Sequence, residues 1–205
     1  MQAPLPPDGG NRNSLDGGGS RSARSTRRKA KLRKPVGDFK VLPNFPFSEQ
    51  DYDFDCGPEA LRVVLRYFKR RVSLPELTER LKSNREEGTN PTEIIKEIVR
   101  RKLHFKCGTM TLDDVKRAIN SDLPVILVLQ AWSINPEATE GHYVVAIGHG
   151  QGKVVFEDPE QEDLVVIEEK ELLDRWYDKD SEGNDYIHFG IIVSDDEIED
   201  RDEIA

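Results

Sequence analysis

The hydrophobic pattern of this sequence changes period near Pro124, and this change limits the fold more than any other feature. Before it, apolar residues such as Leu61, Val64, Leu65 and Phe68 recur at the spacing of an amphipathic helix. After it come apolar runs of strand length, in the order PVILVLQAW, GHYVVAIGHG, KVVFEDP, DLVVIEE and YIHFGIIVS. Helices followed by antiparallel strands predict an α+β fold, in which an N-terminal helical half packs on a C-terminal antiparallel sheet.

The helical half contains four predicted helices, the first over residues 57–70. The other three are marked by residues that cap or open a helix: Ser73 with Glu76 for a helix through Leu81, Asn90 with Pro91, and Thr111. A further short helix, EKELLDRWYD, is predicted as an insert among the strands. The predicted order is therefore four helices, a run of strands, one helix and a last strand.

Charge is distributed unevenly along the chain. Residues 1–37 contain nine Lys or Arg and two Asp, a net charge of +7, and almost no large apolar side chains. The remaining 21 basic and 37 acidic residues give −16, which brings the whole chain to −9. We therefore predict a disordered basic tail at 1–37, a folded domain at 38–195 and an acidic C-terminal tail at 196–205. The basic run RSTRRKAKLRK is a candidate contact for nucleic acid, anionic lipid or an acidic partner, and equally a solubilising tail.

Several classes of protein are disfavoured by the composition. No run reaches the ~18 apolar residues of a membrane-spanning helix, and the N-terminus lacks the apolar core of a secretory signal. The two cysteines do not make a disulfide framework. A single Cys56–Cys107 bridge is an alternative, but free thiols in a reducing cytoplasm are the simpler expectation. We predict neither a metal site nor a cofactor.

Cys56 stands at the start of the first predicted helix, because Pro58 suits the first helical turn. The positive end of a helix favours a thiolate, which is the nucleophilic form of cysteine. The alternative is a small buried apolar residue. Four acidic residues precede or adjoin the cysteine and would oppose thiolate formation if they lay close to it: Glu49, Asp51, Asp53 and Asp55. Their alternation predicts that some of them turn toward water.

A thiolate nucleophile needs a base, which is usually histidine. The runs GHYVVAIGHG and KVVFEDP predict a hairpin with its turn near residues 150–151, which places His142 opposite Asp158 or within one residue of it. The aspartate would then orient the ring and stabilise the imidazolium. The alternative for Asp158 is an ordinary Asp-Pro turn signal at a strand end. The other histidines are predicted to lie at the turn or in structural positions: His149, His104 and His188.

Four short motifs occur in an order that resembles the double-glycine, or bacteriocin-processing, cysteine peptidases of the papain-like superfamily. They are Gln50 followed by Asp55-Cys56-Gly57 with Ala60-Leu61, then GTNPTEI, then GHYVVAIG, then Asp158-Pro159. The resemblance covers residues 40 to 195 and implies a papain-like fold. It also implies that Cys56 is the nucleophile, His142 the general base and acid, and Asp158 the residue that orients His142.

The same resemblance implies that Gln50 supplies a side-chain donor to the oxyanion hole, together with the Cys56 backbone N–H; a solvated glutamine is the alternative. Tyr143 and Trp132 are predicted to line the cleft or to lie in the core. The expected function is that of a cytoplasmic cysteine peptidase acting on a peptide or protein substrate. The alternatives on the same fold are a catalytically silent peptide-binding module and a thiol acyltransferase.

Overall fold

The computed structural model of the protein describes residues 37–48, 55–131, 141–161, 163–180 and 183–198. Within these residues there are five helices: α1 Cys56–Tyr67, α2 Leu74–Arg80, α3 Pro91–Arg100, α4 Leu112–Asn120 and α5 Glu169–Arg175. There are nine strands in the same residues: β1 Lys40–Val41, β2 His104–Thr109, β3 Val125–Gln130, β4 Gly141–Gly150, β5 Lys153–Glu157, β6 Val165–Glu168, β7 Tyr177–Lys179, β8 Asp185–Ile187 and β9 Phe189–Ser194. The predicted α+β class is confirmed.

Seven of the strands form one antiparallel sheet, in the order β2-β9-β3-β4-β5-β6, with β1 paired to β4. The remaining two, β7 and β8, pair as a separate ribbon. Strand β4 lies between β3 and β5, and residues 142–148 within it are all buried. Helices α1 and α4 both pack against β4. The strand that carries His142 is therefore held by a strand on each side and by two helices.

The predicted helix starts are confirmed by the caps that the structure contains. The Ser73 hydroxyl accepts a hydrogen bond from the Glu76 backbone N–H at 3.3 Å. The Asn90 side chain caps α3, and Thr111 forms a capping box with Asp114 at the start of α4. Helix α1 begins one residue earlier than predicted and ends at Tyr67 rather than at residue 70.

Three parts of the predicted order are wrong. The predicted helix EKELLDRWYD ends at Arg175, and Tyr177–Lys179 form strand β7. Strand β2 lies between α3 and α4, so the helices do not all precede the strands. The predicted last strand, YIHFGIIVS, is divided into β8 and β9 at His188, whose φ is 49°. The break is caused by contacts with a residue distant along the chain, because Trp176 hydrogen-bonds to the backbone of both His188 and Phe189. The Trp176 carbonyl accepts the His188 backbone N–H at 2.9 Å, and the indole N–H donates to the Phe189 carbonyl at 2.9 Å.

The core joins the helical half to the sheet. Fully buried side chains come from both halves, including Leu61 of α1, Ile98 of α3, Ile119 of α4, Leu127 of β3 and Phe156 of β5. In the part of the chain that the structure describes, no helix has the length and apolar character needed to cross a membrane. Burial of these side chains brings the N-terminus of α1 against the ends of β4 and β5, where the candidate site lies.

Candidate active site

Cys56 is the first residue of α1 and is 7% exposed. Its sulfur therefore lies at the end of the helix where unsatisfied backbone N–H groups give a partial positive charge. This is the position that the sequence predicts for it. Cys107 lies far along the chain in β2 and is exposed, and both cysteines are free thiols.

His142 and Asp158 form a buried hydrogen-bonded pair. His142 is the second residue of β4, and Asp158 directly follows β5. The His142 Nε2 atom lies 2.8 Å from Asp158 Oδ1, and each residue is 2% exposed. The same Asp158 oxygen accepts the Glu160 backbone N–H at 2.9 Å, which holds the carboxylate in place. The aspartate can therefore orient the imidazole and stabilise it when it is charged.

The predicted register of this pair is wrong, although the predicted contact is present. The turn residues are Gln151 and Gly152, one position later than expected, and both have positive φ. Val145 pairs with Glu157, so continuation of this register puts Asp158 opposite residue 144, diagonally across from His142. A diagonal pair is within reach of side chains as long as histidine.

The second ring nitrogen of His142 faces Cys56. Asp158 occupies Nε2, which leaves Nδ1 for the hydrogen bond that His142 makes with Cys56. Burial lowers the pKa of His142, but the hydrogen bonds and negative charges of Asp158 and Cys56 outweigh burial and raise that pKa to about 10. The ring is therefore a cation at neutral pH, next to the sulfur. A cysteine beside a charged histidine at a helix N-terminus has the surroundings of a reactive thiolate.

The segment before Cys56 is only partly within the structure. Gln50, predicted to donate to the oxyanion, lies outside the described residues, as do Trp132 and three of the four acidic residues, Glu49, Asp51 and Asp53. Asp55 is described and is 1% exposed, so for this residue the expectation that the acids turn to water does not hold. Because Asp55 directly precedes α1, the positive end of the helix offsets the cost of burying its carboxylate.

Ser48, the last described residue before this segment, is anchored beside Asp158. Its backbone N–H donates to Glu157 Oε1 at 2.6 Å, and its hydroxyl donates to the same oxygen. Glu157 is 2% exposed. Burial raises the pKa of Glu157 to about 7, with the hydrogen bonds from Ser48 lowering it and the charges of Glu59 and Asp158 raising it. Glu157 is not among the predicted site residues, and its only signal in the sequence is an acidic residue inside the apolar run KVVFEDP.

A cleft of about 790 Å³ opens beside Cys56. Gly141 and Tyr143, on either side of His142 in the chain, line it together with Asp178 of the β7–β8 ribbon. An added Cβ at Gly141 would lie only 2.3 Å from an oxygen of Asp178, so the carboxylate covers the backbone next to the candidate base. Burial raises the pKa of Asp178, hydrogen bonds from Lys179 and Gln130 lower it, and Asp180 raises it. Both predicted alternatives apply to Tyr143, which lines the cleft and, at 4% exposure, also belongs to the buried core.

The other three histidines are held in different places. His149 Nε2 lies 2.9 Å from Asn120 Oδ1, and the His188 ring stacks on Trp176 with 5.1 Å between centroids. His104 is exposed on β2. Within the described residues, no group of three or more His, Cys, Asp or Glu side chains is arranged to hold a metal ion. The site that the structure brings together therefore consists of Cys56, His142 and Asp158.

Comparison with known protein families gives one match. The model of the Peptidase C39 family matches residues 44–179, which are 136 of the 205 residues. Cys56, His142 and Asp158 all lie within the matched range. The family is one of cysteine peptidases. No curated protein matches the chain.

Comparison with solved structures gives the same fold. The peptidase domain of Streptococcus ComA, a bifunctional ABC transporter of a quorum-sensing pathway, is similar at a TM-score of 0.56 and 20% identity, over 74% of this chain and 99% of that one. A C39-like peptidase from Bacillus anthracis reaches 0.62 at 14% identity, over 77% and 98%. A double-glycine-motif protease from an AMS/PCAT transporter, solved with its leader peptide, reaches 0.56 at 20% identity, over 74% and 91%.

Proposed function

We propose that this chain, which belongs to the Peptidase C39 family, hydrolyses peptide bonds with Cys56 as nucleophile, His142 as general base and acid, and Asp158 as the residue that orients His142. The observation that supports this most is the single imidazole that contacts both partners. One ring nitrogen lies 2.8 Å from Asp158, and the ring is also hydrogen-bonded to Cys56. Among the described histidines, His142 is the one with this pair of contacts.

The reaction follows from the charges of the pair. The Cys56 thiolate attacks the carbonyl carbon of the peptide bond, and a tetrahedral oxyanion forms. The imidazolium of His142 then protonates the leaving amine, which departs and leaves an acyl group on the sulfur. Neutral His142 next removes a proton from water, the resulting hydroxide attacks the thioester carbon, and the carboxylic acid is released as the thiolate returns. Asp158 keeps the ring in place through both proton transfers.

The oxyanion requires donors, and we assign the Cys56 backbone N–H and the Gln50 side chain to this role. The assignment of Gln50 comes from the sequence motif. Removal of one donor from an oxyanion hole typically costs about 10²–10³ in rate. We therefore expect Gln50→Ala to lower kcat by about 10² or more, with a smaller change in KM.

The substrate class that we propose is an extended peptide segment in the cleft beside Cys56, in a reducing compartment such as the cytoplasm. One of the structural relatives was solved with a leader peptide bound, which supports a peptide as the substrate class. Two free cysteines support the compartment. A contact of the basic tail, residues 1–37, with nucleic acid or an acidic partner is a further prediction that concerns residues outside the described part of the chain.

The test uses the full chain and peptide aldehydes. The thiolate adds to the aldehyde carbon, a C–S bond forms, and the oxygen takes a proton from His142 to give a hemithioacetal. We expect a reversible adduct on Cys56, measured by native mass spectrometry of the intact complex and by competition with a fluorogenic peptide. Cys56→Ala should abolish the adduct and the hydrolysis, and His142→Ala should weaken both by at least about 10². Cys107→Ala is the matched control and should change neither.

The outcomes separate peptide hydrolysis from the two alternatives on this fold. Hydrolysis that persists in Cys56→Ala would refute the proposed mechanism. An intact peptide that binds equally well to wild type and to Cys56→Ala, with no cleavage and no aldehyde adduct, would indicate a catalytically silent binding module. Transfer of the acyl group to an added amine in preference to water would indicate a thiol acyltransferase.

A further inference from the structure

Gly57, the second residue of α1, packs closely against Thr89, which lies in the segment before α3. A Cβ added at Gly57 would lie 2.6 Å from both Cβ and Oγ1 of Thr89, and 2.8 Å from its Cγ2. Thr89 is 8% exposed and lies two residues before α3. The backbone at Gly57 therefore lies so close to Thr89 that a residue with a side chain would not fit at position 57 without a shift of Thr89.

The residue that follows His142 is tied to the same threonine. The Tyr143 hydroxyl donates a buried hydrogen bond of 2.7 Å to the Thr89 backbone carbonyl. The Thr89 hydroxyl is in turn 2.7 Å from the Ser83 hydroxyl, which fixes the side chain that touches Gly57. Thr89 is thus held by its backbone on one side and by its hydroxyl on another.

We propose that Thr89 is a positioning residue that sets the separation of Cys56 and His142. Gly57 directly follows Cys56 and Tyr143 directly follows His142, so one residue contacts the chain neighbour of each member of the pair. The two members come from a helix and a strand with no chain connection near the site. Thr89 therefore contacts both the helix that carries Cys56 and the strand that carries His142. This inference rests on the proposed function, because it concerns the geometry of the same reaction.

The consequence is kinetic. Misplacement of a reacting group by about 1 Å can lower a rate by about 10²-fold. Without the Tyr143 hydroxyl, the start of β4 loses its attachment to Thr89, while the ring still fills its place. The Cys56–His142 hydrogen bond then depends on the pairing of β4, on the helices packed against it and on the contact of His142 with Asp158. Thr89 and Tyr143 also line the cleft, but the Tyr143 hydroxyl is hydrogen-bonded to Thr89, so we expect kcat to fall more than KM changes.

Tyr143→Phe is the primary variant, because it removes one hydroxyl and no packing volume. Tyr67→Phe is the matched control: the Tyr67 hydroxyl likewise donates to a backbone carbonyl, that of Asp122, at 3.1 Å. Tyr143→Phe should lose more thermal stability than Tyr67→Phe, because its hydrogen bond is buried and that of Tyr67 is exposed, so rates are compared at a temperature at which both variants are fully folded. Tyr143→Phe should lower kcat by about 10-fold or more with KM changed less than about 3-fold, and should slow iodoacetamide alkylation of Cys56 at pH 6.5 by a similar factor. Tyr67→Phe should leave both values unchanged.

A steric rescue tests the second contact. Gly57→Ala should lower kcat and Cys56 alkylation, because the added methyl group displaces Thr89. Thr89→Gly removes the atoms that the methyl group meets. The double variant G57A/T89G should therefore react faster than Gly57→Ala alone. A purely structural role for Thr89 would give losses of stability without this recovery of the alkylation rate.

The outcomes also distinguish this inference from the proposed function. If alkylation of wild-type Cys56 does not depend on His142, the proposed function fails and the positioning role fails with it. If alkylation depends on His142 but is the same in wild type, Tyr143→Phe and Tyr67→Phe, the proposed function stands and the positioning role of Thr89 is refuted.

Discussion

Replacement of Asp158 tests the charge arrangement of the site most directly. The contacts with Asp158 and Cys56 raise the pKa of His142 from 6.5 to about 10, against the effect of burial. A difference of 3.5 pKa units corresponds to about 5 kcal/mol in favour of the imidazolium, at about 1.4 kcal/mol per unit. Loss of an opposite charge in direct contact typically moves a pKa by about 1–3 units, so Asp158→Ala should shift the balance between the thiolate–imidazolium pair and the neutral thiol–imidazole pair by about 10-fold or more.

The sign follows from the loss of the negative partner. Without Asp158, burial is opposed by Cys56 alone, so the pKa of His142 falls. The pair then shifts from thiolate and imidazolium toward a neutral thiol and a neutral imidazole, and alkylation at pH 6.5 should slow by about 10-fold or more. Asp158→Asn keeps an oxygen acceptor for the ring but removes the charge. Its rate should therefore lie between those of wild type and Asp158→Ala.

The assay has an internal reference, because the protein contains a second thiol. Iodoacetamide labelling followed by peptide mass spectrometry gives the rates of Cys56 and Cys107 in one sample. Cys107 is an exposed residue, but partial burial of its thiol raises the pKa of that thiol. Cys107 should therefore react slowly at pH 6.5 in every variant. A faster Cys107 would report unfolding. An unchanged Cys56 rate in Asp158→Ala, with Cys107 also unchanged, would refute the reasoning.

Three further predictions concern stability, each measured by urea unfolding. The pKa of Glu157 is about 7 in the folded protein and 4.5 for the free group, so wild type should lose stability as pH rises between these values. Glu157→Gln should lack this loss, and its free energy of unfolding relative to that of wild type should rise by about 3 kcal/mol between pH 4.5 and 8. Gly141→Ala should cost about 1–3 kcal/mol through its contact with Asp178, and Asp178→Ala should restore most of it. Trp176→Phe should cost about 2 kcal/mol, because it leaves the Phe189 carbonyl without its donor.

The helix starts could be predicted from the sequence because their signals are local. Ser73, Asn90 and Thr111 each accept a hydrogen bond from a backbone N–H two or three residues later, and such a contact requires nothing else from the fold. The start of α1 was also placed within one residue, although no side chain caps it. The proline and the apolar periodicity were sufficient there.

The strands that were missed depend on contacts between distant residues. The side chains of β2 are exposed or half-buried along its whole length. Its apolar alternation, Phe105 and Cys107, is short, and the strand pairs along its length with β9. The left-handed conformation of His188 is held by Trp176, twelve residues earlier, and neither a glycine nor a proline stands at that position to indicate it.

Of the candidate site, the members could be predicted, but not the contacts that support them. Residue type and helix position identify Cys56, and hairpin pairing identifies His142 and Asp158. Thr89 contributes a backbone carbonyl and a packing surface, and the motif GTNPTEI that contains it does not show which residues these contact. Such contributions appear only when the chain neighbours of the reacting residues are seen in three dimensions.

The His142–Asp158 contact depends on one extra residue in β4. At the turn, Gly150 pairs with Lys153 and Gly148 with Val155, a register that would put Asp158 on the opposite face of the sheet from His142. Between Ala146 and Gly148 the register shifts by one, and beyond the shift the side chains of His142 and Asp158 lie on one face. The extra residue is Ile147, whose carbonyl accepts the Leu42 backbone N–H at 2.8 Å. A β-bulge re-aims side chains in this way. The turn lies one position later than predicted and the bulge shifts the register by one residue, and together they leave the side chains of His142 and Asp158 on one face of the sheet.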